Sequence, residues 1–253
     1  MKALICILVG MQLAQASEFE LRMVGGAKTG AVCLDGTPGG YYIRKGVGAG
    51  ASNWVVHHEG GGWCALNTTD PMVQSCDARS KTAIGSSLSW PKTGVPSMDG
   101  GAQGMLNNDS SINPFWDWSM VHINYCDGGS YAGNRSEPVV SPAGNTLYFR
   151  GARIIRAVFD DLVTNQGLGV SKGTLLLTGT SAGGLATYLH ADREATWVPA
   201  TMRVVAVPDA GYFLPLPQWN GKPSWLPYYQ QVAEEQDVWG SVNDGCMAAY
   251  PSV

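Results

Sequence analysis

One short segment constrains the fold of this chain more than any other. The apolar run Leu175-Leu176-Leu177 precedes Gly179-Thr180-Ser181-Ala182-Gly183, a Gly-x-Ser-x-Gly pattern that joins a strand to a helix through a tight turn. Side chains two positions before or after the serine would crowd the neighbouring strand or helix, so only glycine fits there. The pattern therefore predicts Ser181 at a sharp bend, with its hydroxyl exposed at the carboxyl end of a strand.

Predicted strands and helices alternate around this turn. Hydrophobic periodicity and turn residues predict strands over 41–43, 54–58, 120–124, 175–178 and 203–207, and helices over 150–166 and 182–192. Strands that are almost continuously apolar and alternate with helices indicate a parallel sheet buried on both faces. We therefore expect an α/β-hydrolase-like fold, a mostly parallel sheet with helices on both faces.

The composition is that of one secreted globular domain. The chain has 253 residues, of which 45% are hydrophobic, enough for a single α/β domain. Its formal net charge of −4 argues against a nucleic-acid-binding protein. A basic start, a short apolar core and Ala14-Gln15-Ala16 predict a signal peptide over residues 1–16.

We expect residues 17–253 to form one catalytic domain, monomeric and located outside the cell or in the cell wall. Glycosylation sequons at Asn67, Asn108 and Asn134 agree with passage through the secretory pathway. No later stretch is long and apolar enough to suggest a membrane span.

The chemistry is predicted to reside in two glycine-rich turns. Ser181 is the candidate nucleophile, which needs a base to take its proton. The backbone N–H of Ala182, and those of Gly61 and Gly62 in the triple glycine after strand 54–58, are the candidate oxyanion hole. A simple strand-to-helix turn and a flexible connection are the alternatives without catalysis. No metal or organic cofactor is implied.

Several blocks of the sequence, in matching order, resemble the pectin acetylesterase and Notum carboxylesterase family. They are residues 54–64, 113–118, 125–128, 149–154, 179–186 and 209–214. The Gly-Gly-Gly-Trp-Cys segment at 60–64 is nearer to the plant-type pectin acetylesterases than to the animal Notum proteins. The resemblance implies a secreted serine esterase that removes acetyl groups from O-acetylated pectin (homogalacturonan). It also makes Asp127, Trp116 and Trp118 candidates for lining the substrate groove.

The chain departs from the family in its catalytic triad, because the family places its acid and then its histidine well after the serine. Only His190 follows Ser181, and nine helical residues would place it on the opposite face, about 13 Å away along the axis. Asp209 is interpreted as structural, because the family carries an aspartate there besides its triad acid. We find no triad acid or histidine in this chain; both are expected beyond Val253, so that the chain would be incomplete at its carboxyl end.

The resemblance also suggests how the cysteines pair. Five cysteines remain after the predicted signal is removed, and disulfides are expected in a secreted protein. Cys64 is expected to pair with Cys76 and Cys33 with Cys126, which leaves Cys246 without a partner.

Two other functions remain open on sequence grounds. One is a catalytically dead, truncated family member or polysaccharide-binding remnant. The other is a Notum-like lipid deacylase, which would need a deep apolar pocket for its acyl chain.

Overall fold

The computed structural model describes residues 18–250 except 27, 67, 69–73, 95–103, 218, 220 and 222–224. The predicted signal peptide and the sequon at Asn67 lie outside these ranges. The described strands are β1 Glu20–Met23, β2 Gly40–Arg44, β3 Trp54–His58, β4 Cys64–Ala65, β5 Gln74–Ser75, β6 Ser119–Ile123, β7 Val139–Val140, β8 Thr146–Leu147, β9 Thr174–Thr180 and β10 Arg203–Asp209. The described α-helices are α1 Cys76–Arg79, α2 Gly151–Asn165, α3 Ala182–Thr196, α4 Leu226–Gln236 and α5 Asp244–Ala249.

Six strands form the central sheet, in the order β1-β2-β6-β3-β9-β10. The four strands β6, β3, β9 and β10 run parallel to one another. At one edge of the sheet, β2 pairs antiparallel with β6, and β1 pairs antiparallel with β2. In the pairing of β3 with β9, His58 lies opposite Gly179. The strand that leads into the triple glycine and the strand that leads into Ser181 therefore end side by side. The predicted fold class, with its mostly parallel sheet and packed helices, is confirmed.

Two apolar clusters cover the two faces of the sheet. The first packs α2 and α3 against the strands, through residues such as Ile155, Ala186 and Leu177. The second packs the segment around Leu106 and Phe115 against the opposite face. Within the described residues, each helix is too short or too polar to cross a lipid bilayer.

The predicted elements agree with the structure where an apolar pattern marks them. The stripe on α2 buries five apolar side chains, and Gly167 follows the helix with a φ of 93°. Helix α4 was missed. It buries only Val232 and Gln236 along its length, so no broad apolar stripe marks it in the sequence. Strand β1 was missed as well.

Strand β10 differs from the expectation of full burial. It lies at the edge of the sheet and pairs only with β9 among the described strands. Its side chains are exposed or half-buried, and Val207 is 47% exposed. An apolar sequence predicts a strand but not its place in the order of strands.

The disulfides are the two expected pairs, Cys33–Cys126 and Cys64–Cys76. Cys246 is exposed and free. The first bridge closes 93 residues of chain and the second closes 12. The shorter bridge ties the segment after the triple glycine to the start of α1.

A buried ion pair joins β3 to α3 behind the candidate site. His58 Nε2 lies 2.8 Å from Glu194 Oε1, and neither side chain is accessible to solvent. His58 Nδ1 lies 2.9 Å from the carbonyl of Thr178 on β9. Burial disfavours the charged imidazole, but the charge and hydrogen bond of Glu194 outweigh it and raise the pKa of His58 above its ordinary value. The pair fixes the spacing between the strand before the triple glycine and the helix after Ser181.

We predict that Glu194→Gln lowers the free energy of unfolding by about 3 kcal/mol, because it leaves His58 buried without its countercharge. The loss should depend on pH. A histidine whose pKa is raised in the folded protein contributes its full stabilisation of the fold below the pKa of the unfolded chain, about 6.5. This contribution to the free energy of unfolding disappears as the pH rises through the pKa of the folded protein. Urea unfolding at a series of pH values should therefore show a deficit that is largest in acid and shrinks as the pH rises.

The matched control is Glu234→Gln, which removes an exposed carboxylate from α4 and should leave the unfolding free energy nearly unchanged. A deficit in Glu194→Gln that is the same at every pH would contradict a charged pair.

Candidate active site

Ser181 occupies a strained position between β9 and α3. Its backbone has φ 57° and ψ −120°, which non-glycine residues adopt only where the surrounding structure enforces it. The enforcing contacts are backbone hydrogen bonds, from Ser181 N–H to the Asp209 carbonyl and from Leu185 N–H to the Ser181 carbonyl, both 3.0 Å. Ser181 is the last residue before helix α3, and it is half-buried.

The two elbow glycines are required for steric reasons. A Cβ on Gly179 would overlap the carbonyl oxygen of Gly183 and would lie 2.8 Å from that of His58. A Cβ on Gly183 would overlap the His58 carbonyl oxygen. The sequence-based explanation of these glycines is confirmed: without side chains, the first turn of α3 packs directly on the end of β3.

The triple glycine lies beside the candidate nucleophile. A Cβ on Gly60 would overlap the carbonyl oxygen of Thr180 and would lie 3.3 Å from the Ser181 Cβ. Gly61 and Gly62 have φ values of 145° and 69°, and both are exposed. The structure thus brings together the two turns that the sequence singled out.

Two buried side chains hold the carbonyls of this loop. Arg79 Nη1 donates to the Gly61 carbonyl at 2.9 Å, and the Tyr125 hydroxyl donates to the Gly62 carbonyl at 2.8 Å. In a trans peptide unit the N–H points opposite to the carbonyl of the preceding residue. Because these two carbonyls are held on the core side of the loop, the N–H groups of Gly62 and Trp63 point away from the core.

Four backbone amides around Ser181 remain available as donors. Among the described residues, the N–H groups of Gly61, Gly62, Trp63 and Ala182 have no hydrogen-bond partner. The first three lie in one loop, and the fourth is the first residue of α3. The amide of Trp63 was missed by the sequence reasoning, because a tryptophan gives no signal that its backbone takes part.

The described histidines do not reach the nucleophile. All four are buried, at His57, His58, His122 and His190. His190 lies 3.1 Å from the Tyr131 carbonyl, and burial lowers its pKa to about 4. Among the described residues, none makes a hydrogen bond to Ser181 Oγ. Asp209 accepts the Ser181 N–H through its backbone carbonyl.

The resemblance was misleading for one candidate groove residue, Asp127. Its side chain is inaccessible to solvent and accepts the Gly129 N–H at 3.2 Å. Burial raises the pKa of Asp127 to about 6, opposed by the positive charge of Arg79. Asp127 therefore belongs to the buried frame below the loop and does not line a groove. Trp118 packs on Phe115 in the cluster on the second face of the sheet.

Within the part of the chain that the structure describes, no group of three or more His, Cys, Asp or Glu side chains is placed to hold a metal ion.

We predict that Gly60→Ala destabilises the protein by about 3 kcal/mol, because its methyl group would push the Thr180 carbonyl and the elbow away from the loop. Gly104→Ala is the matched control, since nothing lies within 4 Å of a Cβ there. Chemical denaturation of the two variants beside the unmodified chain measures the difference. Equal stabilities would show that the loop and the elbow are not in contact.

Comparison with known proteins places these features in a family. The family model described as Pectinacetylesterase matches residues 12–252. Pectin acetylesterase 5 of Arabidopsis thaliana is 40% identical over 220 residues, which are 87% of this chain and 48% of that protein. The chain therefore spans about half the length of this relative.

Notum proteins are more distant relatives. Palmitoleoyl-protein carboxylesterase NOTUM of Homo sapiens is 33% identical over 216 residues, which cover 82% of this chain and 39% of that protein. The solved structure of the Wnt deacylase Notum from Drosophila superposes with a TM-score of 0.75 and 29% identity, over 93% of this chain and 65% of that one.

Proposed function

The chain belongs to the pectinacetylesterase family, and on that premise we propose that it is a serine esterase that removes acetyl groups from O-acetylated pectin. One observation carries the proposal: a strained bend presents the half-buried Ser181 beside backbone amides from two separate turns that have no partner among the described residues. That combination of a nucleophile and oxyanion donors is what acyl transfer requires. Family membership supplies the substrate class.

In the proposed reaction, Ser181 Oγ attacks the carbonyl carbon of the acetyl ester. The carbonyl oxygen becomes an oxyanion, which accepts hydrogen bonds from Gly61, Gly62 or Trp63 and from Ala182. Collapse of this intermediate releases the sugar hydroxyl and leaves an acetyl group on Ser181. Water then attacks the acetylated serine and releases acetate.

The protein's own contribution is a set of donors held in place before the substrate binds. Arg79 and Tyr125 fix the loop carbonyls, so the amides do not have to reorient as charge develops. Each such donor is worth about 10²–10³ in rate. The proton of Ser181 has no acceptor among the described residues, and a base is required for the full rate.

We predict that added imidazole accelerates acetate release from acetylated pectin by this chain, because it can take the proton that no described histidine is placed to take. Without imidazole, the rate should stay within about 10³–10⁴-fold of the uncatalysed reaction. The measurement is acetate released as a function of imidazole concentration, with the imidazole-only reaction subtracted.

Ser181→Ala is the control for this experiment, and it should follow the imidazole-only background. If the unmodified chain and Ser181→Ala respond equally, Ser181 is not the nucleophile of this chain. The catalytically dead or polysaccharide-binding remnant would then be the better description.

Secretion to the cell wall is part of the same proposal. The two disulfides are typical of proteins that fold in an oxidising compartment. Asn108 and Asn134, the described sequon asparagines, are both exposed. Mass spectrometry of protein recovered from a secreting host tests this proposal, by the expected start at Ser17 and by glycan at either asparagine.

A lipid deacylase is the second candidate, and one observation favours it. A cavity of about 280 Å³ lies between α3 and α4, lined by apolar side chains that include Trp63, Leu185 and Tyr229. Trp63 follows the triple glycine, and Leu185 is one helical turn beyond Ser181. An acyl chain longer than acetyl would find apolar surface there.

A series of acyl esters that differ only in chain length separates the two candidates. We predict that turnover in the presence of imidazole falls as the chain lengthens from acetyl. Leu185→Phe, which narrows the cavity, should leave acetate release unchanged. A rate that rises with chain length and is lost in Leu185→Phe would instead assign the chain to lipid substrates.

A further inference from the structure

Gln236, the last residue of α4, lies against the segment that follows the triple glycine. It is inaccessible to solvent. Its Nε2 donates to the Cys64 carbonyl at 3.4 Å and to the Gly128 carbonyl at 3.3 Å. Both partners are carbonyl oxygens, so only the nitrogen end of the amide can face them. The buried amide therefore joins two loops that are distant from α4 in the sequence.

Gln236 holds the carboxyl-terminal end of the loop that carries the candidate oxyanion donors. The Cys64 N–H donates to the Gly128 carbonyl at 2.9 Å, and Gln236 binds that carbonyl oxygen as well as the Cys64 carbonyl oxygen. The Tyr125 hydroxyl holds the carbonyl that precedes Trp63. Three consecutive peptide groups are thus held in place. The Trp63 N–H belongs to the first of them, so its direction depends on how firmly the next two are held.

Two adjacent glycines allow this close packing. A Cβ on Gly129 would lie 2.0 Å from Gln236 Oε1 and 2.7 Å from its Cδ. A Cβ on Gly128, which has a φ of 70°, would lie 2.5 Å from Cys64 Sγ and 3.2 Å from Arg79 Cδ. The turn at 128–129 therefore packs directly against Gln236, against the Cys64–Cys76 disulfide and against the arginine that holds the triple glycine.

We propose that Gln236 is a positioning residue of the oxyanion hole, which fixes the direction of the Trp63 N–H without contacting the substrate. The inference rests on the proposed function, because this amide has a catalytic task only if Ser181 attacks an ester. It extends the site to α4, since Gln236 follows Cys64 by 172 residues. Preorganised donors of this kind stabilise the transition state and contribute little to binding of the ground state.

The first test is Gln236→Met, which keeps the volume of the side chain and removes its donors. Acetate release from acetylated pectin in the presence of imidazole should show a kcat at least about tenfold lower and an unchanged KM, because the lost interaction acts in the transition state. Gln166→Met is the matched control. Gln166 also stands at the end of a helix and donates from Nε2 at 3.3 Å, to Asp161, so its replacement should leave acetate release unchanged.

Gln236→Glu separates positioning from packing, because a carboxyl group donates a hydrogen bond only when it is protonated. The ionised form would repel the two carbonyl oxygens. The ratio of acetate release by this variant to that by the unmodified chain should therefore rise as the pH falls through the pKa of the new carboxyl group. Gln236→Met should show no such recovery. The charged groups around position 236 are present in every variant, so the ratio removes their titration; they are Asp127, Arg135, Glu235 and Asp237.

Hydrogen exchange of the Cys64 amide is a readout that does not depend on activity. In Gln236→Met this N–H should exchange at least about tenfold faster, because its acceptor is held less firmly, while exchange in the central sheet stays unchanged and shows that the chain is folded.

The proposal is overturned if Gln236→Met leaves either acetate release or Cys64 exchange unchanged, or if the Gln236→Glu ratio does not vary with pH. Failure of the proposed function gives a different result, in which the unmodified chain and Ser181→Ala release acetate equally. That result would remove the catalytic role of Gln236 as well, although exchange at Cys64 would still respond.

Discussion

The structure depends on the direct backbone contact between the end of β3 and the first turn of α3. The His58 carbonyl lies where a Cβ of Gly183 would be, and close to where a Cβ of Gly179 would be. Such close contact is available only to glycine. It places the triple glycine, which continues β3, against the serine that precedes α3. Any side chain in this contact would separate the nucleophile from the amides that are proposed to serve it.

Buried charged side chains on the core side stabilise that contact. Arg79, Asp127, Glu194 and His58 are all within the core, where unpaired charge costs several kcal/mol. Here the charged groups are paired, since Arg79 donates a hydrogen bond to the Gly61 carbonyl and Glu194 forms an ion pair with His58. Replacing such groups by apolar residues could give a core of equal stability, but the loop amides would lose their fixed direction. The arrangement is that of a preorganised site.

Sequence reasoning predicted the elements that have a strong local signal. The apolar strands, the stripe on α2 and the tight Gly-x-Ser-x-Gly turn each follow from residues adjacent in the chain, and each agrees with the structure. The errors occur where the signal is not local. Helix α4 buries too little to show a stripe, and Asp127 was assigned to a groove although it is buried. The amide of Trp63 was missed because backbone direction is set by Arg79 and Tyr125, which are distant in the sequence.

The sequence by itself determined that Ser181 stands on a strained turn and that glycines flank it, because steric exclusion at a turn involves only neighbouring residues. It also determined the family, through long blocks in a fixed order. Only the tertiary structure decided that β3 ends beside β9, that the loop carbonyls point inward, and that β10 pairs with β9 alone among the described strands. Strand order and peptide direction depend on contacts between distant segments, and no local pattern of residues encodes them.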